Sequence, residues 1–242
     1  MMAQKYNSGI NIMGSIPDYS SMIEYIVEEH KGVAGNGSFQ FRTNKSLKRF
    51  IAGIEESVLS FKDTKHKKLF FDGLTSTELS TNDKFMLIFW QMVYANALFR
   101  DITAEVFMKA VYQGRSTLSQ DDVYGYIRHL KEEQPEELNW SEATLKIIAS
   151  KYLTAMKKFG LADGAMRKEI RYPLIGNVLF VYFIRWCQCV CPENKTINNE
   201  YVKFGFCDNM TLISKLKKID FMQYWDITQV TDEVTIDLKA YE

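Results

Sequence analysis

The chain has 242 residues, with 30 basic and 30 acidic side chains, 46% hydrophobic and 14% aromatic residues. This length holds one large domain or two small ones around a full core. The composition excludes a disordered chain, and the zero net charge excludes nucleic-acid binding driven by the charge of the whole molecule.

The first residues, MMAQKYNSGINIMGS, carry one lysine and no apolar core segment, so no secretory signal is expected and a cytoplasmic location is. PDYSSMIEYIVEEH (17–30) has Met22, Ile23, Ile26 and Val27 at helical spacing. The loop GVAGNG (32–37) follows, and it lacks the GK[ST] ending of a phosphate cradle. TNKSLKRFIAGIEESVLSF (43–61) predicts a helix capped by Thr43 or Asn44, with Leu47, Phe50, Ile51, Ile54, Val58 and Phe61 inward. Its first turns carry Lys45, Lys48 and Arg49, with Arg42 just before, which opposes the helix dipole. An anionic partner would account for that cost, as would acidic groups elsewhere in the fold.

KDTKHKKLFFDGL (62–74) reads as a basic connector or short helix. STNDKFMLIFWQMVYANALFRD (80–101) predicts one central helix, apolar nearly all round. A helix over 102–114 ends at Gly114, and another over 118–133 starts at Ser119. The acidic linker EQPEEL divides the chain into an N-terminal helical domain, 1–134, and a C-terminal one, 135–242. In NWSEATLKIIASKYLTAMKKFGLADG, Ser141 caps a helix. Leu145, Ile148, Ala149, Tyr152, Leu153, Met156 and Phe159 line its inner face, and Gly160 takes the left-handed position after it. ADGAMRKEIRYP predicts a turn and a short extended run, followed by a helix over 174–190. Two short helices and a hairpin turning at Thr231-Asp232 complete the chain. The apolar runs 85–99 and 174–184 are too short for membrane spans, so both are assigned to buried helices. The fold class is therefore mainly α: a compact helical bundle with a winged-helix-like element and a small C-terminal β-hairpin.

No catalytic motif emerges. His30, His66 and His129 sit in charged surroundings that predict solvated side chains. The paired acids lie at helix ends or in the linker. Cys187, Cys189 and Cys191 in WCQCVCP, with Cys207, lack a CxxC pair and are expected to be free thiols, not metal ligands. No cofactor, membrane or small-molecule substrate is expected.

Charge is segregated along the chain. Residues 39–70 hold eight basic against three acidic residues, and 141–171 hold seven against three. Such blocks can form a positive face that binds phosphate backbones through counterion release. The candidate contacts are Arg42, Lys45, Lys48 and Arg49 in the first block. In the second they are Lys146, Lys151, Lys157, Arg167, Lys168 and Arg171. A helix bearing the first three lysines of that block, followed by a basic extended segment, suits a winged-helix reader with weak sequence preference.

The order of these features resembles the BrxA family, the small all-helical component of BREX phage-resistance systems. The likeness runs from Tyr6 to about residue 185. It rests on SFQFRTNKSLKRFIAGIEESVLSF, the apolar helix, the Trp140-Ser141 helix start through Gly160-Leu161, and IRYPLI. The glycine-rich GVAGNG loop and the CQCVC run depart from it. The resemblance implies a NusB-like helical protein that binds double-stranded DNA without enzymatic activity. It also implies action beside other BREX proteins, a methyltransferase, an ATPase and a phosphatase-like protein. It assigns no individual contact residue. The expected function is thus a non-enzymatic, DNA-binding accessory protein of a BREX-type defence system. The alternatives are a NusB-like RNA binder and a protein–protein adaptor within the defence complex.

Overall fold

A computed structural model describes residues 6–33, 43–231 and 233–240. The architecture is mainly helical, as the periodicity predicts. Helices α1 (Ile10–Met13), α2 (Tyr19–His30), α3 (Asn44–Ser57) and α4 (Thr64–Thr75) surround α5 (Thr81–Ala95). A Ser80–Asp83 capping box starts α5, and every residue from Met86 to Val93 is buried. The chain continues through α6 (Ala97–Ile102), a π-helical turn (Thr103–Met108), α7 (Lys109–Tyr112), β1 (Thr117–Leu118), α8 (Gln120–Glu133) and α9 (Glu142–Lys158). After α9 come β2 (Ala162–Asp163), β3 (Lys168–Ile170), α10 (Asn177–Val190), α11 (Asn209–Leu216), β4 (Trp225–Val230) and β5 (Glu233–Leu238). The boundary predicted at 134/135 falls in the loop joining α8 to α9. One cluster of buried apolar residues runs from Tyr6 to Ile236.

Two predicted helices are corrected. The run 80–101 is broken at Asn96, which is extended (φ −121°, ψ 105°). Its side chain accepts from Phe99 N at 2.9 Å and donates to Asn7 Oδ1 at 2.8 Å. The buried amide thus caps a new helix instead of continuing the old one. The predicted helix over 102–114 opens with a π turn. There Thr103 donates to Phe99 O at 2.6 Å and accepts from the Tyr152 hydroxyl at 3.2 Å. A side chain competing for the i−4 carbonyl favours such a widening.

His66 is corrected as well. It is fully buried on α4, where its Nδ1 accepts from Lys62 N at 3.3 Å. Leu69 and Phe70, one turn on, share its buried face, and that face decides its environment more than the neighbouring lysines do. His129 is exposed, as expected; exposed His30 stacks on Phe71, with ring centroids 3.6 Å apart. Cys187 on α10 and Cys191 just after its end are buried, Cys189 and Cys207 are half-buried, and all four are free thiols. Burial pushes the Cys189 thiol up to about 11.

The C-terminal hairpin packs on the helical body. Trp225 is buried against Phe180 and Phe221 and donates to Leu216 O at 3.0 Å. On the far side of β5, Ile197 N donates to Val234 O and Ile236 N to Lys195 O. No described helix is long and apolar enough to cross a membrane.

Candidate nucleic-acid interface

Helix α9 carries the core of the candidate interface. Ser141 accepts from Thr144 N at 3.2 Å and starts it. A Schellman closure ends it, with Gly160 N donating to Lys157 O and Leu161 N to Met156 O. Gly160 sits at φ +74°, where a side chain would be strained. Leu145, Ile148, Ala149, Tyr152, Leu153 and Met156 are buried as predicted, so the polar face turns outward. That face shows Ala143, Lys146, Ile147, Ser150 and Lys157, with Lys151 and Thr154 at its edge. No carboxylate occurs between residues 143 and 158. Glu142, at the helix start, is engaged by the Tyr124 hydroxyl and Lys131.

Three short strands flank the helix pair α8–α9. Their order is β1-β3-β2, all antiparallel, with Thr117 opposite Glu169 and Ala162 opposite Ile170. The turn from Gly164 to Arg167 projects from this sheet, with Met166 91% exposed beside exposed Arg167.

The predicted basic residues fall into distinct environments. Lys146 is exposed, with its ammonium 5.7 Å from the Tyr124 ring centroid. Lys146, Lys151 and Arg167 form no ion pair with any described residue. Lys157 is paired to Asp163 at 3.1 Å, and Arg171 reaches Glu169 at 2.9 Å and Asp163 at 3.7 Å. Lys168 turns inward and donates to Gly164 O at 2.6 Å and Ala165 O at 2.8 Å. Its ammonium closes the projecting turn, and burial lowers its pKa.

Lys45, Lys48 and Arg49 are exposed on the first turns of α3 and form no ion pair with a described residue. Arg42 lies outside the described residues. The two basic blocks meet on either side of α1. Arg49 lines a groove with Ser15 and Ile16 at the end of α1, and Lys158 of α9 donates to Gly14 O at 3.0 Å and to Ile16 O. Gly14 lets α1 lie directly on the Lys151 backbone, because a Cβ there would collide with the Lys151 carbonyl. Charge counting missed this structural use of Lys158 and also Met166, whose exposure comes only from the turn.

With that geometry in place, comparison with known families decides the identity. The BrxA family model matches residues 33–185, well over half of the chain. The protein belongs to the BrxA family. Membership makes it a BREX-associated component and agrees with the likeness in the basic helix start and IRYPLI. The match covers α3 through most of α10 and so includes α9 and the three-stranded sheet. The C-terminal hairpin of this BrxA protein lies beyond it. No curated protein matches the chain.

Proposed function

We propose that this BrxA protein is a non-enzymatic accessory factor of its BREX system that binds double-stranded DNA through α9 and the β2–β3 turn. The observation that carries the reading is the outward face of α9, with Lys146, Lys151 and Lys157 and no carboxylate from 143 to 158. The order helix, β1, α8, α9, β2, β3, with sheet order β1-β3-β2, supports this reading, because a winged helix runs in the same order. In that arrangement α9 occupies the recognition-helix place and the Gly164–Arg167 turn is the wing. At 17 residues, α9 is about 25 Å long, enough to lie along a major groove. Arg167 and Met166 at the wing tip suit a minor-groove edge, where a cation and an apolar side chain both find contacts. The face offers lysines and small residues, not the Arg, Asn and Gln that read bases, so phosphate contact dominates and sequence preference is weak.

The test is anisotropy of a labelled random-sequence duplex across a salt series. Log affinity falls linearly with log salt, with a slope of about −0.9 per phosphate engaged. Combining Lys146→Glu, Lys151→Glu and Arg167→Glu reduces that slope by about three and leaves the thermal melt in place. An unchanged slope removes these residues from the interface. Competition with structured RNA separates duplex DNA from an RNA target of the same charged surface.

A further inference from the structure

The outer edge of β4, C-terminal in sequence to the basic helix, is paired to no further strand among the described residues. Lys239 N donates to Tyr224 O, which fixes the alternation of the β4–β5 ladder. By that alternation residues 226, 228 and 230 face β5, so the amide groups of Ile227 and Gln229 point away from it. Among the described residues, neither backbone finds a partner. The other hairpin edge is closed, since β5 bonds to residues 195–197. The β4 edge lacks the usual guards. It has no proline, its pairing to β5 runs unbroken from Trp225 to Val230, and Val230 is 65% exposed. Beside it lies a groove of about 560 Å³ lined by Leu216, Met222, Trp225 and Ile227, together with Lys217, Gln229 and the Asp226–Lys239 ion pair.

We propose that this edge accepts an extended segment of another polypeptide, apolar in its middle and acidic at its end, as an added strand. The backbone supplies donors and acceptors over six residues, about 20 Å of strand. Apolar side chains of the added segment fill the groove. The acidic end answers two cations: Lys217, bonded only to the neutral Gln229 side chain, and exposed Lys218, which forms no ion pair with a described residue. Charge also argues against a second copy of β4 as the occupant. The sequence WDITQV offers one carboxylate, Asp226, already paired with Lys239 at 2.9 Å.

The test uses the full chain and three fluorescein-labelled peptides. The first is Glu-Glu-Val-Thr-Ile-Thr-Val-Glu-Glu; the second has lysine for glutamate; the third is the acidic peptide with proline for its central isoleucine. The acidic peptide binds, and the other two bind at least about tenfold more weakly. Gln229→Pro removes an outward amide and the side-chain bonds to Lys217 and Thr231 O but no β4–β5 bond, so it abolishes binding in a chain that still folds, whereas Gln229→Ala, which loses only the side-chain bonds, still binds. Lys217→Glu with Lys218→Glu reverses the preference between the acidic and lysine peptides and tests the charge independently of strand geometry. Equal binding of both charge forms, binding retained by Gln229→Pro, or no binding of the acidic peptide overturns the proposal. So does a dimer that Gln229→Pro converts to monomer, because a second copy then occupies the edge.

Discussion

His66 makes the stability of this protein depend on pH in a window that few other groups share. The imidazole is fully buried, and burial lowers its pKa from 6.5 to about 4, against smaller opposing pulls from Gln91 and Asp63. Protonation also turns Nδ1 from an acceptor of Lys62 N–H into a donor facing that donor. The unfolded chain therefore binds a proton between pH 6.5 and 4 that the folded chain refuses. Stability is full above the unfolded value, falls as pH drops through 6.5, and levels off below about 4. The separation between 6.5 and about 4 caps the loss at about 3 kcal/mol, most of it between about pH 7 and pH 4.5. The carboxylates Asp18 and Asp208 have lowered folded values, chiefly through the Ser21 hydroxyl and the Thr211 amide respectively. Their contributions are present above the unfolded carboxylate range and disappear only at lower pH, below most of the histidine window. Urea unfolding of the wild type and His66→Asn across this range isolates the effect, since the asparagine oxygen still accepts from Lys62 N. The wild type loses about 2 kcal/mol more than the variant on acidification. Parallel losses would mean that the imidazole is hydrated in solution and would refute the argument.

Three other perturbations have defined outcomes. Asn96→Ala removes the α6 cap and the Asn7 bond together and lowers stability by about 2 kcal/mol, read as a lower thermal midpoint. Gly14→Ala forces α1 off the Lys151 backbone, costing about 1–3 kcal/mol by the same assay, because the obstacle is main chain and cannot rotate aside. Asp163→Asn keeps the acceptor for Gly164 N, bonded at 2.7 Å, and releases Lys157, while Arg171 keeps its closer partner Glu169. Duplex affinity then rises, and the salt slope steepens by about one unit; weaker binding would mean that the ion pairs hold the wing in its binding shape.

Helix α9 was legible in the sequence because every level agreed. Ser141 caps, seven apolar residues share one face, and Gly160 closes the end, and the structure follows all three. The broken helix at Asn96 was not legible, since one amide in an apolar run also fits a tolerated buried polar residue. Its capping role depends on Asn7, 89 positions away. His66 misled for a related reason. Its sequence neighbours are lysines, whereas its spatial neighbours follow from Leu69 and Phe70 on the same helical face. Strand β1 has two residues and no periodicity to read. At the candidate interface the positions of the charges were legible, but their engagement was not. Lys146 and Lys168 look alike in sequence, yet one faces solvent and the other closes a turn, a difference made by backbone carbonyls at Gly164 and Ala165.

The placement of the acids explains how a chain of zero net charge keeps a basic face. Asp18, Asp63 and Asp208 are N-caps, and Asp83 and Asp122 complete capping boxes. These carboxylates accept backbone amides at helix starts, where the dipole also favours them. They are committed to local structure and are not distributed along helix faces. Glu142, in the first turn of α9, is held by the Tyr124 hydroxyl and Lys131, and the sixteen residues of the helix behind it carry no carboxylate. Neutralising α9 would require acids from another element, and the nearest, Asp163, reaches only the last turn, at Lys157. Lys146 and Lys151, on the earlier turns, form no ion pair with a described residue. Helix capping and the basic face therefore arise from one allocation of charge, in which capping carboxylates serve the amides of the chain and the lysines of α9 remain exposed.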